Sequence, residues 1–187
     1  MQVGILTNLN SRKNRHSHGR ADRLREYAGS YAMIRQTRSL DEIRPVLEEF
    51  VDRDCRYWIS DGGDGTLHWM INEGREVLFR RGRLSGREPM PCVVPTNGGT
   101  IDFVARKAGI KGRPDEIIHR LVDGLRAGID IPTVEVDTIE VSGHRPGDPP
   151  GTWPFKRIGF AVAAGGIGQK FFSEYYRAPN PNPWTII

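Results

Sequence analysis

Over the first 130 residues, short apolar runs alternate with longer stretches of helical periodicity. The segment VGILT (3–7) reads as a strand buried on both faces, since a half-exposed strand would alternate with polar positions. A polar, basic stretch runs from Asn8 to Arg20. ADRLREYA (21–28) then has the spacing of a helix, and YAMIRQT (31–37) that of a second strand. SLDEIRPVLEEFVDR (39–53) predicts a helix opened by Ser39, with Glu42 three residues on as a capping box and Pro45 tolerated in the first turn. RYWIS (56–60) reads as a third strand and TLHWMINEGREVLFRR (66–81) as a helix with Gly74 as a weak point. GRLSGREP (82–89) is a polar loop and MPCVVP (90–95) a fourth strand. Helices follow over IDFVARKAGI (101–110), stopping near Gly109, and RPDEIIHRLVDGLRAG (113–128), with Pro114 at its start and Gly128 at its end.

Strands alternating with helices predict an α/β fold: an open, mostly parallel sheet with helices on both faces. The character changes near residue 131. In IPTVEVDTIEVSG, Val134, Val136, Ile139 and Val141 alternate with polar neighbours, as in an antiparallel strand. HRPGDPPGTWP (144–154) reads as a turn or loop. FKRIGFAVAAGG (155–166) reads as the returning strand, and IGQKFFSEYY (167–176) as a short helix. A boundary near 130 therefore separates an α/β domain, 1–130, from a β-rich segment, 131–187. At about 55 residues that segment is too short for a large core. The chain reads as cut off partway into a second domain.

Composition narrows the class. The chain has 187 residues, 37% hydrophobic and 27% charged, as in a globular protein and unlike a disordered one. No apolar run approaches the ~18–20 residues of a membrane-spanning helix. The opening MQVGILTNLN has no basic leader followed by an apolar block and cleavage site, so no secretory signal is expected. The net charge of +4 fits a phosphate-bearing ligand, an anionic lipid surface or a solvated face, and does not choose between them. Cys55 and Cys92 each open an apolar run and read as reduced thiols; no spacing suggests zinc.

The strongest chemical signal is Asp61-Gly62-Gly63-Asp64-Gly65-Thr66, between a strand and a helix. Its glycines let backbone approach a ligand and adopt positive φ, and a helix N-terminus behind them favours phosphate. The spacing matches neither a Walker loop nor the dinucleotide fingerprint. A carboxylate among phosphates is repelled unless it holds a cation or does chemistry. Asp64 is thus a candidate for holding Mg²⁺ or for taking a proton from an attacking hydroxyl. The plainer alternative is that it caps the helix that follows. The second signal, Thr96-Asn97-Gly98-Gly99-Thr100, also joins a strand to a helix. If the two strands are neighbours, both turns line one crevice at their C-terminal ends; the alternative is a tight turn with Thr100 as N-cap. Thr7-Asn8-Leu9-Asn10-Ser11 closes the first strand as a third nucleotide-contact candidate or an ordinary polar loop.

GGDGTLH (62–68) and PTNGGTIDFVARKAGI (95–110) resemble the catalytic domain shared by diacylglycerol kinases, sphingosine kinases and bacterial lipid kinases. Gly99-Thr100-Ile101-Asp102-Phe103-Val104-Ala105-Arg106 is similar, without a gap, to the family's Gly-Thr-x-Asn-Asp-Phe-Ala-Arg segment. Thr7, Asn8 and Ser11 stand where the family has its Asn-Pro-x-Ser-Gly nucleotide loop. RIGFAVAAGGIG (157–168) resembles the opening of the family's second domain. The resemblance implies a fold like that of NAD kinase and diacylglycerol kinase. It implies a nucleotide-binding kinase catalytic domain at 1–130 and an incomplete β-rich lipid-substrate domain at 131–187. The implied activity is a phosphotransferase acting on an alcohol group. It moves the γ-phosphate of ATP to a diacylglycerol or sphingoid-type lipid, with Mg²⁺ expected. Asp64 would be the base or metal-side acid. Gly62, Gly63, Gly65 and Thr66 would hold the phosphates, and Gly99 and Thr100 would complete the nucleotide cleft. No residue is assigned as a metal ligand.

The implied setting is cytoplasmic, with peripheral membrane association. The implied partners are a lipid substrate at a membrane surface and, in a homodimer, a second copy of the chain. No base-reading motif is present, so nucleic acid is discounted. The sequence departs from the family pattern in three places. The family's Asn-Asp pair reads Asp102-Phe103, its Glu after GGDGTLH is Trp69, and its first loop lacks the Pro and Gly. A helical position shifted by one turns a side chain by ~100°, so Asp102 is not expected to replace the lost aspartate. Two rivals stand beside the kinase reading: a non-catalytic nucleotide- or lipid-binding module, and NAD kinase, which shares GGDGT. Arg12, Lys13, Arg15, His16, His18 and Arg20 read as a solvated basic loop, or as contacts to ATP phosphates or anionic headgroups. His68 reads as a packed or solvent-facing histidine. Phe171, Phe172, Tyr175 and Tyr176 read as core, or as a lipid-facing surface.

Overall fold

The computed structural model describes residues 2–84, 90–144, 147, 149, 155–160 and 177. The elements run β1 (Val3–Asn8), α1 (Arg20–Ala28), a 3₁₀ turn (Gly29–Tyr31), β2 (Ala32–Thr37), α2 (Ile43–Asp52), β3 (Tyr57–Asp61), α3 (Asp64–Arg80), β4 (Cys92–Pro95), α4 (Phe103–Lys107) and α5 (Pro114–Arg126). Among the described residues, β1 to β4 form a parallel sheet in the order β2-β1-β3-β4. The α/β fold expected from the alternation is present.

The sheet is covered on both faces, which explains its unbroken apolar strands. Val3 and Ile5 of β1 and Tyr57 and Ile59 of β3 pack with Ala21, Leu24 and Ala28 of α1 and Ile118, Leu121 and Val122 of α5. Leu6 and Trp58, one register position away, face the other side. They pack with Leu47, Phe50 and Val51 of α2 and Met70, Val77 and Leu78 of α3. The strand period of two thus sorts one sequence into two cores.

Several boundaries differ from those the periodicity predicts. α2 starts at Ile43, not Ser39: the Glu42 carboxylate accepts the Arg38 N–H at 2.7 Å, so the Ser39 capping box does not form. Pro45 lies in the first turn as expected. α3 begins at Asp64, two residues early. Gly74 is a close-packing position: a Cβ there would lie 2.6 Å from the Trp58 ring. α4 is only Phe103–Lys107, and its N-cap is Asp102 in the left-handed region (φ 52°), not Thr100. Pro114 opens α5, and Glu116 accepts the Arg113 N–H at 2.9 Å.

By contact density the chain divides into two units, 1–135 and 136–187. The stretch 131–138 has no regular element, so the strand expected there is confined to β5 (Ile139–Gly143). β5 pairs antiparallel with β6 (Phe155–Gly159), Ile139 opposite Gly159. The expected glycine turn after Phe160, the helix 167–176 and the cluster Phe171, Phe172, Tyr175 and Tyr176 lie outside the described residues.

Candidate functional site

The strand order reverses direction between β1 and β3, because the chain moves from β1 outward to β2 and then back to β3 on the other side. In open parallel sheets such a switch point leaves a crevice at the carboxyl ends of the two strands. The residues emerging there are Thr7 and Asn8 from β1 and the glycine turn from β3. β4 pairs directly with β3, which brings the second glycine turn beside the first.

The two turns interlock. The Gly98 N–H donates to the Gly62 carbonyl at 2.9 Å. A Cβ on Gly63 would lie 2.8 Å from the Gly99 Cα, and one on Gly98 would lie 2.9 Å from the Gly62 carbonyl oxygen. None of these glycines has positive φ. The expectation of positive φ is therefore corrected: at Gly63, Gly98 and Gly99 the missing side chain serves close approach of two backbones, and at Gly62 it leaves room for the Thr66 side chain. Gly65 differs. It is exposed, and a Cβ there would meet nothing within 4 Å. A helix leaves its first N–H groups without intrahelical acceptors; in α3 those of Thr66 and Leu67 turn back to the Gly63 carbonyl at 3.0 and 3.2 Å, so the donors at this rim are the N–H groups of Asp64 and Gly65.

Asp64 is the first residue of α3, with Gly63 as N-cap. Its carboxylate oxygens accept the Phe103 N–H at 2.9 Å and the Val104 N–H at 3.1 Å. Asp64 is therefore a cap, though of α4 rather than of the helix it starts, and it ties the two glycine segments together. Asp102 stands beside it. Its carboxylate accepts the Gly99 N–H at 2.8 Å, and only 4% of the residue is exposed. Burial pushes the Asp102 carboxyl above its ordinary range, the nearby Asp64 adds to that, and the Gly99 N–H and Lys13 oppose it. As an N-cap before the helix, Asp102 is not subject to the helical rotation expected of it.

The remaining expected residues divide by exposure. Asn8 is half-buried and donates to the Thr66 hydroxyl at 2.8 Å, while its own side-chain oxygen accepts the Asn10 N–H at 2.9 Å. Ser11 donates to the Asn8 carbonyl at 2.8 Å. Thr7 is fully buried and donates to Asp61 at 3.0 Å, so its hydroxyl supports the turn from beneath and is not presented to a ligand. Thr66 is buried as well, and Thr100 is half-buried. Arg12, Lys13, Arg15, His16 and His18 are exposed, as a solvated loop would be, and Lys13 reaches the Asn97 carbonyl. Arg20 is the exception. It is 5% exposed and ion-paired with Asp61 and Asp115.

Sequence reasoning missed Asp61, Asn14 and Thr96 as a buried polar group. Asn14 donates to the Asp61 carbonyl at 2.8 Å, and the Thr96 hydroxyl lies 3.3 Å from the Gly62 carbonyl. One signal was available: an acid ending a strand buried on both faces needs a cationic partner. His68 is half-buried, its ring set edge-on to Trp69 with centroids 5.4 Å apart, and Trp69 packs on the core of one sheet face. Both cysteines are free. Cys55 is buried, which raises its thiol pKa, and Cys92 is half-buried. Among the described residues, no three His, Cys, Asp or Glu side chains cluster as a metal cage, and no helix is long and apolar enough to cross a membrane.

The sequence profile described as "Diacylglycerol kinase catalytic domain" matches residues 2–134. Two crystal structures from Bacillus anthracis str. Sterne resemble the fold. One is a diacylglycerol kinase, 17% identical with a TM-score of 0.51, matched over 75% of this chain and 43% of its own. The other is a provisionally named diacylglycerol kinase, 19% identical with a TM-score of 0.49, matched over 75% of this chain and 45% of its own. This chain thus spans less than half the length of either. No curated protein matches the sequence.

Proposed function

The chain belongs to the diacylglycerol kinase catalytic domain family, and from that premise we propose that it carries the nucleotide-binding part of an ATP-dependent lipid kinase. The observation that carries this reading is the interlocked pair of glycine turns at the carboxyl rim of β3 and β4, beside the switch point at β1. In the proposal the triphosphate lies along the open face of Gly65 at the start of α3, where a Cβ would meet no protein atom. Backbone N–H groups there suit phosphate oxygens. Gly62, Gly63, Gly99 and Thr100 shape the rim, and Asn8, Ser11 and Thr66 brace it from the β1 side. Thr7 acts from beneath.

Asp64 is the acid proposed to face the reacting lipid hydroxyl. Its two N–H bonds to α4 hold the carboxylate in one orientation, and fixed orientation is most of what phosphoryl transfer asks of a protein. Mg²⁺ fits as a partner of ATP more than of the chain: such ions are commonly held by one or two carboxylates plus substrate phosphates. Asp64, half-buried at the rim, would be that carboxylate; Asp102 is buried and bonded to the Gly99 N–H. When bound, the ion would neutralise charge developing on the phosphates. The lipid, a diacylglycerol or sphingoid base, would be met at a membrane surface by a peripherally associated cytoplasmic protein. A homodimer belongs to the proposal as its oligomeric form.

A second reading has one observation in its favour. Both Asp64 oxygens already accept backbone N–H groups, as in a purely structural cap, and a non-catalytic nucleotide-binding module would need no more. The two separate in one experiment on the full-length protein: transfer of ³²P from ATP to diacylglycerol and to sphingosine, with ATP affinity by calorimetry. The kinase reading expects transfer by the wild type and its loss in Asp64→Asn with ATP binding retained. ATP binding without transfer to either lipid supports the module. Undiminished transfer by Asp64→Asn rejects the role of that residue.

A further inference from the structure

Directly above the apolar rung Ile5–Ile59–Val94, the next residues on the same face of the sheet are Thr7, Asp61 and Thr96. The core continues to that level, yet the rung is polar and none of the three is more than 2% exposed. Its centre is Asp61, with no exposure at all. Arg20 grips it with two arms, Nε to Oδ2 at 3.0 Å and Nη2 to Oδ1 at 3.0 Å. The Thr7 hydroxyl donates to Oδ2 at 3.0 Å, and the Thr96 hydroxyl lies 3.4 Å from Oδ1. The third arm of Arg20 reaches Asp115 on α5. One guanidinium therefore joins α1, β3 and α5 on one face of the sheet.

A buried ion pair is a poor way to gain stability, because desolvating both charges offsets much of their attraction, and well-packed apolar pairs often do as well. What it supplies is direction. The two carbonyls at the end of β3 are held beside this rung: Asn14 donates to the Asp61 carbonyl at 2.8 Å, and the Thr96 hydroxyl, within 3.4 Å of the Asp61 carboxylate, is placed against the Gly62 carbonyl at 3.3 Å. The Gly62 carbonyl is also the acceptor that fastens the second glycine turn. An apolar rung could fill this space but could not aim those bonds.

We propose that Arg20, acting through Asp61, is a positioning residue that locks the turn 62–66 and its partner turn 96–100 in register. In a kinase, it would hold Asp64 and the phosphate-facing backbone in place without touching either ligand. That last step rests on the kinase reading above; the lock itself does not.

The test compares Arg20→Met, Asp61→Leu, the double variant Arg20→Met/Asp61→Leu and Arg20→Lys in the full-length protein. Arg20→Met leaves the Asp61 carboxylate buried without a cation, and Asp61→Leu strips the buried Arg20 of two of its bonds and leaves it only Asp115; each lowers the melting temperature, and the double variant, with neither charge, recovers it. Backbone amide exchange is then read at 62–66 and 96–100. In the double variant it rises by about tenfold or more there, while the centres of β1 and β3 keep wild-type protection. Arg20→Lys, with a point charge instead of a fork, gives a smaller rise of the same pattern. Unchanged exchange at both turns in a refolded double variant overturns the lock, whatever the protein catalyses. If the double variant does not refold, Arg20→Lys alone decides on the same readout. Where the wild type transfers phosphate, the double variant loses about a hundredfold in kcat, the scale of a small misplacement. Wild-type kcat in the double variant overturns the link to catalysis, and absence of transfer in the wild type rejects the kinase reading while the exchange result stands.

Discussion

Two glycines of the paired turns should respond to alanine in opposite directions. Gly99 lies against the other turn: a Cβ there would sit 2.6 Å from the Gly63 Cα and 2.8 Å from an Asp102 carboxylate oxygen. Carbon atoms rest at about 3.5–4.0 Å, so the overlap with Gly63 is roughly 1 Å. It falls on backbone, which cannot rotate away. Overpacking of this kind costs about 1–3 kcal/mol. Gly65 is exposed in the first turn of α3, with nothing within 4 Å of its would-be Cβ. Alanine there gains up to about 0.5–1 kcal/mol, because glycine loses more backbone freedom on entering a helix. At about 2–4 °C per kcal/mol for a chain of this size, Gly99→Ala should lower the melting temperature by about 4–8 °C for a cost near 2 kcal/mol. Gly65→Ala should raise it by about 1–4 °C. Thermal denaturation followed by circular dichroism reads both, and an ATP titration of each refolded variant supplies the second axis. If the open face of Gly65 admits a triphosphate, Gly65→Ala binds ATP about tenfold more weakly or worse despite its higher stability. A neutral Gly99→Ala would refute the interlocking. A Gly65→Ala variant that is more stable and binds ATP as the wild type does would refute the placement of the triphosphate.

Two further outcomes follow from particular contacts. The folded-state pKa of Asp102 is raised by burial, so the folded protein holds this proton more tightly than the unfolded chain. The group therefore favours the fold at low pH, and that contribution is lost as pH rises from the ordinary carboxyl range through the raised value. Asp102→Asn keeps an oxygen for the Gly99 N–H and suits the left-handed backbone at φ 52°. It should raise the melting temperature at pH 7 and leave it unchanged near pH 3; an equal shift at both pH values would contradict the burial argument. Gly74→Ala sets propensity against packing. Alanine gains about 1 kcal/mol in a helix interior, but its Cβ would press on the fully buried Trp58 ring at 2.6 Å, at a cost of about 1–3 kcal/mol. A net loss in urea denaturation is expected, and a net gain would show that the ring has room to move.

The alternation of strands and helices over the first 130 residues was legible because it depends on local periodicity, which each segment carries within itself. So were the positions of both glycine turns after β3 and β4, since strand ends and turn residues are short-range signals. The role of each glycine was not legible. Nothing in the order of residues says that Gly63 and Gly99 touch, because their contact exists only once β3 and β4 pair. The same holds for Asp64, whose helix-capping function was weighed for the wrong helix: its partners are the Phe103 and Val104 N–H groups, 39 and 40 residues along the chain. Arg20 reads with its basic neighbours as solvated or as a contact to phosphates or headgroups, and it is the buried partner of Asp61 because α1 docks over the end of β3. Local patterning thus determined which segments became strands, helices and turns. Only tertiary structure decided which charges are buried, which helix an acid caps and which glycines meet, because desolvation and close approach depend on what the fold places opposite each residue.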